Sequence, residues 1–264
     1  MEAAKRILVW DAPVRVFHWL AVLCFFGAYF TAEEDGLRLV HITLGYTLAG
    51  LVVFRLVWGV IGSRYARFSE FVHGAGAVRD YVSAMARRQP VHYTGHNPAG
   101  ALAILALLGL ALVLTATGVA LYLDIGGDVI EETHEVLGNV MLGLVIAHIL
   151  AVIISSRLHH ENLVAAMLNG HKEGEARDGI GDAHSLVAIV LLVAVVLFWS
   201  WQWKAAPLDG VTGRAPSVEK HEHQEAQVPN HPVSAARAGT SDRHRGRPVL
   251  LGSDGDQGSP RPRG

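Results

Sequence analysis

THEVLGNVMLGLVIAHI, residues 133–149, sets one histidine, His134, just after an acidic stretch and a second, His148, fourteen positions on within an apolar run. At about 100° per residue the two differ by about 1400°, roughly 40° short of four full turns, so a helix presents both on one face; a rise of about 1.5 Å per residue separates them by about 21 Å. One apolar helix carrying two imidazoles that far apart points to two sites, one in each leaflet of a membrane.

The rest of the chain is apolar enough for that reading. Of 264 residues, 51% are hydrophobic and only 17% are charged, an oily composition for a soluble domain. Five stretches approach the roughly 20 apolar residues that a transmembrane helix needs: 16–31, 40–61, 99–123, 136–156 and 185–203. The expected fold is an all-α membrane protein, a four-helix transmembrane bundle with a fifth transmembrane helix, over residues 1–203. The first fifteen residues are charged and mixed, and no small-x-small site follows the apolar run, so the first helix is expected to stay as an anchor. The single cysteine, Cys24, lies inside an apolar run; this excludes a disulfide framework, a Cys-x-x-Cys metal site and covalent haem attachment.

Basic residues resist translocation and mark cytoplasmic loops. Lys5, Arg6 and Arg15 precede the first helix, Arg64, Arg67, Arg79, Arg87 and Arg88 follow the second, and Arg157, Lys172 and Arg177 follow the fourth. The alternate loops are acidic, with Glu33, Glu34 and Asp35 in one and Asp124, Asp128, Glu131 and Glu132 in the other. The N-terminus is therefore expected in the cytoplasm and the C-terminus on the opposite side of the membrane. Phe68, Phe71, Val72, Val78, Val82 and Met85 recur at amphipathic spacing, compatible with a segment on the inner leaflet or an ordinary solvated loop helix. From residue 204 to 264 Pro, Gly, Ser, Arg and Asp dominate and aromatics vanish, so this periplasmic tail is expected to be disordered and its His221, His223 and His231 solvated.

Polar side chains inside a bilayer are costly and face the bundle interior. His18 opens the first helix at the cytoplasmic side, at the depth of His148; His41 opens the second at the outer side, at the depth of His134. Two pairs result, one per leaflet. Zinc usually takes a third or fourth protein ligand, and none occurs at the inner depth. A haem iron with two axial histidines needs only those two, and its apolar macrocycle fills the space between helices, so two non-covalent haem b groups fit better. Gly45 and Gly138 each lie four residues after a histidine, on its own face, where they leave room for a flat ring or, alternatively, allow close helix packing. Arg55, fourteen residues after His41, falls at the inner level, suited to a haem propionate or to snorkelling toward headgroups. His73, His92, His96, His159, His160 and His171 lie in loops where solvation is the default, and His184 reads as an interfacial residue, with a quinone pocket as the alternative.

The runs VWDAPVRVFHWLAV (9–22), HITLGY (41–46), VVFRLVWGVIGSRYARF (52–68), GHNPAG (95–100), THEVLGN (133–139) and AHILAVIISSRLHHENL (147–163) resemble the bacterial cytochrome b561 family, which includes the b-type cytochrome subunits of nickel-iron hydrogenases. The resemblance covers residues 7–172. It implies a four-helix core with two haems b that passes electrons between the quinone pool and a partner protein. The family's axial ligands match His18, His41, His134 and His148. The polar tail is not part of the pattern.

The expected function is electron transfer through two bis-His haems between quinone or quinol and a periplasmic partner, a c-type cytochrome or a hydrogenase subunit. That is the role of an electron-transfer subunit of an oxidoreductase complex, with no catalytic residue of its own. Membrane lipid surrounds the chain, a homodimer is compatible with the sequence, and no nucleic-acid partner is expected. Two rivals stand: an enzyme that alone oxidises quinol with superoxide or another small acceptor, and a histidine-bearing metal or proton transporter. A proton relay favours acids and prolines inside the helices, and neither occurs there.

Overall fold

The structure, a computed structural model, describes residues 5–72, 74–87 and 93–205. Residues 206–264 of the expected disordered tail, with four histidines, fall outside these residues, as do His73, Arg88 and His92, whereas Lys204 and Ala205 are helical rather than part of a disordered tail. The chain runs through β1 (Lys5–Leu8), α1 (Ala12–Phe30), α2 (Arg38–Ile61), α3 (Phe68–Phe71), α4 (Ala75–Ala86), α5 (Pro98–Tyr122), α6 (Gly127–Leu158), α7 (Leu163–Asn169), β2 (His171–Gly174) and α8 (Ser185–Ala205). Among the described residues five helices are long and apolar enough to cross a membrane: α1, α2 with the turn before it, α5, α6 and α8.

These helices start where backbone donors find partners rather than where hydropathy rises. Asp11 caps α1 by accepting from Val14 N at 2.8 Å, and Asn97 caps α5 by accepting from Gly100 N at 2.7 Å; each is followed by a proline in the first turn, where the missing N–H costs nothing. The largest departure from the sequence expectation is at α6, which begins at Gly127 instead of residue 136. Its first turns are acidic, and carboxylates favour the positive end of a helix. An apolar window sees only the oily part of such a helix.

Bundle packing is sequential: α1 lies on α2 and α8, α2 on α5, and α5 on α6. One buried cluster, Cys24, Leu44, Leu48 and Leu51, joins α1 to α2 with Trp199 of α8 against it; a second, Phe25, Val52, Ala111, Leu114 and Met141, ties α1, α2, α5 and α6 together. The Trp199 indole donates to Thr47 Oγ1 at 2.8 Å, a side-chain bond between α8 and α2. Outward-facing Val53, Val57, Leu102, Val113, Val190 and Val193 are exposed, as suits helices whose solvent is lipid rather than water.

The sequence reading did not anticipate the small sheet. β1 and β2 pair antiparallel, Lys5 opposite Gly174 and Leu8 opposite His171, at the end of the bundle where α1, α5 and α8 begin. Gly170, with φ +83°, turns the chain from α7 into β2, and its carbonyl accepts from Val9 N at 2.8 Å and Trp10 N at 3.0 Å. A Cβ there would lie 2.7 Å from the Trp10 carbonyl, so a side chain is excluded both by the backbone angle and by space. This end, rich in Arg and Lys, is called the basic end below; the opposite end, with the Glu33–Asp35 and Asp124–Glu132 segments, is the acidic end.

Candidate functional site

At the acidic end the rings of His41 on α2 and His134 on α6 face each other with centroids 6.2 Å apart and planes at 79°. His41 Nδ1 lies 2.9 Å from the Ala28 carbonyl oxygen, and His134 Nδ1 lies 3.1 Å from the Leu114 carbonyl oxygen and 2.9 Å from Thr117 Oγ1. A carbonyl only accepts, so Nδ1 carries the proton in both rings, and Nε2 of each is left as a lone-pair donor. An atom held midway at metal–nitrogen distances of about 2.0–2.1 Å would put the centroids roughly 6 Å apart, in line with the observed separation.

The glycines around this pair divide into two kinds. A Cβ built on Gly45 or on Gly138 meets no atom within 4 Å, so neither glycine serves close packing of two helices. Gly118 on α5 is the close one: its Cβ would lie 3.1 Å from His134 Cε1. Only the packed structure brings that glycine to the site.

At the basic end His18 on α1 and His148 on α6 line one cavity of about 1110 Å³, at the upper limit of ordinary ligand pockets. Phe25, Ala111, Met141 and Val145 line its apolar body, and Arg55, His96, Tyr93 and Lys172 line its polar part. Met141, seven residues from each histidine of α6, belongs to the buried plug between the two pairs. His18 Nδ1 is buried without a hydrogen-bond partner among the described residues.

Arg55 does not snorkel. It is 3% exposed, its Nη1 has no hydrogen-bond partner among the described residues, and its guanidinium lies 5.0 Å from the centre of the Phe68 ring. A buried guanidinium with an unfilled donor calls for an acceptor, and the cavity is where one fits.

His96 departs from its expected solvated state. It sits between Trp10 and Phe71, with ring centroids 4.4 Å and 4.6 Å away, and its Nδ1 is buried without a partner among the described residues. Burial, then the positive charges of Arg55 and Lys172, push its pKa down to about 3, so the ring is neutral at ordinary pH. Lys172 is buried as well, 3.0 Å from Glu161 and donating to the Tyr93 carbonyl at 3.0 Å. His159 lines the cavity, 3.3 Å from the Tyr81 hydroxyl. His184 stacks edge-on to Trp58 at 5.5 Å and is not among the residues that line the cavity; His160 is exposed in the turn after α6, whereas His171, expected in a loop, opens strand β2 and is half-buried.

Among the described residues no group of three or more His, Cys, Asp or Glu is placed to hold a metal ion. The rings of His41 and His134 lie close together, and His18 and His148 line one cavity.

The sequence model of prokaryotic cytochrome b561 matches residues 9–170, more than half of the chain. Similar proteins include the probable Ni/Fe-hydrogenase B-type cytochrome subunit of Rhizobium leguminosarum bv. viciae, 24% identical over 218 residues, 64% of this chain and 89% of that protein. The probable Ni/Fe-hydrogenase 1 B-type cytochrome subunit of Escherichia coli (strain K12) is 23% identical over 211 residues, 62% of this chain and 89% of its own. A probable Ni/Fe-hydrogenase B-type cytochrome subunit from Azotobacter vinelandii is 29% identical over 146 residues, 45% and 60% of the two chains. No solved structure matches significantly.

Proposed function

The chain belongs to the prokaryotic cytochrome b561 family, and we propose that it carries electrons through the bacterial inner membrane by way of two haems b, one at each histidine pair. The facing of His41 and His134, each with Nδ1–H tied to a backbone carbonyl, carries this reading. That arrangement fixes the tautomer in advance and leaves each Nε2 as the ring's lone-pair donor, as second-shell bonds to ligating histidines do. His18 and His148 supply the second pair, and open space stands where a Cβ of Gly45 or Gly138 would sit. Arg55 Nη1, without a partner among the described residues, would donate to a propionate.

Haem b, when bound there, supplies a one-electron couple with no open coordination position. The chain's own part is to hold the rings, exclude water from the apolar bundle and keep the two sites apart around Met141. The positive loops support a cytoplasmic N-terminus, which sets the acidic end on the periplasmic side. The similar proteins are named as hydrogenase subunits, so the periplasmic partner proposed is a nickel-iron hydrogenase, with a c-type cytochrome as the other candidate, and quinone or quinol is the membrane-soluble partner.

Purified protein should show two haems b per chain and a b-type reduced-minus-oxidised spectrum; a chain without that spectrum overturns the reading. Rapid oxidation of a quinol by oxygen or superoxide, with no second protein present, would replace the carrier role by that of a self-sufficient enzyme.

A further inference from the structure

The basic-end cavity has an apolar body and a polar part. Phe25, Ala111 and Met141 line the body, whereas Arg55, His96 and Lys172 reach the cavity from three separate places, α2, the segment before α5, and β2. Two of these side chains carry hydrogen-bonding capacity that no described residue takes up. Arg55 Nη1 and His96 Nδ1 are both buried without a partner, and a buried polar atom left unpaired is destabilising until something fills its place. Trp10 and Phe71 clamp the His96 ring, with centroids 4.4 Å and 4.6 Å away. Trp10 is held in turn by its N–H on the Gly170 carbonyl at 3.0 Å, so the backbone bonds beside the small sheet fix where this imidazole stands.

The charges that line the cavity do not cancel. Lys172 lies 3.0 Å from Glu161, which lines the cavity as well, and donates to the Tyr93 carbonyl at 3.0 Å. Arg55 has no such carboxylate in the lining: Asp11, which acts on it electrostatically, is outside, its oxygens taken by Val14 N, Trp58 Nε1 and Ser63 Oγ. Among the described residues one positive charge is therefore left unbalanced, together with two unused hydrogen-bonding atoms. Such a lining suits an amphiphile with an apolar body and two carboxylates on one edge. Haem b has that form, and His18 and His148 of the same cavity would hold its iron.

We propose that His96 joins Arg55 in anchoring the two propionates of the basic-end haem, one carboxylate on each side chain, which turns that edge of the macrocycle toward the segment before α5. The anchoring role of His96 rests on the two-haem reading. His96 donates Nδ1–H, since a carboxylate only accepts, and Arg55 donates from Nη1 while balancing the charge. Trp10 and Phe71 are positioning residues: an imidazole already clamped between two rings loses little rotational freedom when the carboxylate arrives.

The test compares the full chain purified with its haems against His96→Phe, His96→Gln and Arg55→Gln. Two quantities are read: the propionate bending bands in resonance Raman spectra, and the rate at which the haem that His18→Ala removes passes to excess apomyoglobin. His96→Phe keeps a ring between Trp10 and Phe71 but has no donor; it should shift one propionate band and speed release of the basic-end haem about 10–100-fold. The acidic-end haem should stay in place, which reports that the variant is folded. His96→Gln restores an N–H donor and should lie nearer the wild type, and Arg55→Gln should shift the other band. In the unaltered chain, haem b dimethyl ester, which lacks both carboxylates, should exchange into the basic-end site at least about tenfold more weakly than haem b. Unchanged bands and release rate in His96→Phe, equal losses from His96→Phe and His96→Gln, or equal binding of the ester would overturn the inference while leaving two haems bound. A chain holding one haem or none would overturn the two-haem reading itself, and this inference with it.

Discussion

Asp11 accepts a hydrogen bond from the Trp58 indole at 3.0 Å, which fastens the start of α1 to the end of α2. The same carboxylate caps α1 through Val14 N and accepts from Ser63 Oγ, and it is 1% exposed. A hydrogen bond to a charged buried group contributes about 1.5–3 kcal/mol, and a lost cap about 1 kcal/mol. Asp11→Ala should therefore cost about 4–7 kcal/mol, more than Trp58→Phe, which removes one of the three bonds. Thermal or denaturant unfolding of the purified chain in detergent checks the order; equal losses would mean that the other two bonds contribute nothing.

His41 and His134 face each other, and His18 and His148 share the basic-end cavity. His41→Ala and His134→Ala should each remove the same haem, and His18→Ala and His148→Ala the other, leaving about half the haem content in every case. Haem content and low-temperature spectra of the four variants check the pairing. Loss of the same spectral component from His41→Ala and His148→Ala would refute it.

Space for a Cβ is open at Gly45 and tight at Gly118. Gly45→Leu should leave the protein folded yet weaken the acidic-end haem, because the added side chain enters the space beside His41. Gly118→Ala places a methyl 3.1 Å from His134 Cε1 and should weaken the same haem by displacing its ligand, by about 10–100-fold in affinity. Haem titration of the purified variants reads both. Unchanged affinity in Gly45→Leu would show that the space beside His41 is not used by the macrocycle.

His96 has its pKa pushed down to about 3 by burial and by Arg55 and Lys172, against about 6.5 when unfolded. Below about pH 6.5 the unfolded chain binds a proton that the folded chain refuses, so stability falls as pH falls, by up to about 1.4 kcal/mol per pH unit from this group. Above that pH both states are neutral and the dependence vanishes. His96→Phe, which keeps an aromatic ring between Trp10 and Phe71, should flatten the stability profile between pH 6 and 4. An unaltered slope would assign the acid sensitivity to other groups.

Much of the fold was legible in the sequence because its signals are local. A run of about 20 apolar residues spans a bilayer wherever it occurs, and the fourteen-residue spacing of His134 and His148 puts both on one face of any α-helix. The pairing with His41 and His18 followed from chain direction alone, since each crossing reverses depth. Helix ends were less legible: α6 extends through nine residues that hydropathy assigned to a loop, because hydrogen bonding, not oiliness, ends a helix.

By itself the sequence determined the five spans, their alternation and the four candidate ligands, all consequences of helical period and apolar length. Only the tertiary structure decided which proton each acidic-end imidazole keeps, since the Ala28 and Leu114 carbonyls come from other helices. It also decided that Arg55 and His96 turn inward and that Lys172 joins them from a strand paired with the N-terminus. No pattern along the chain encodes these placements. They arise from contacts between residues tens of positions or more apart, where burial removes water and leaves each polar group the neighbours that packing supplies.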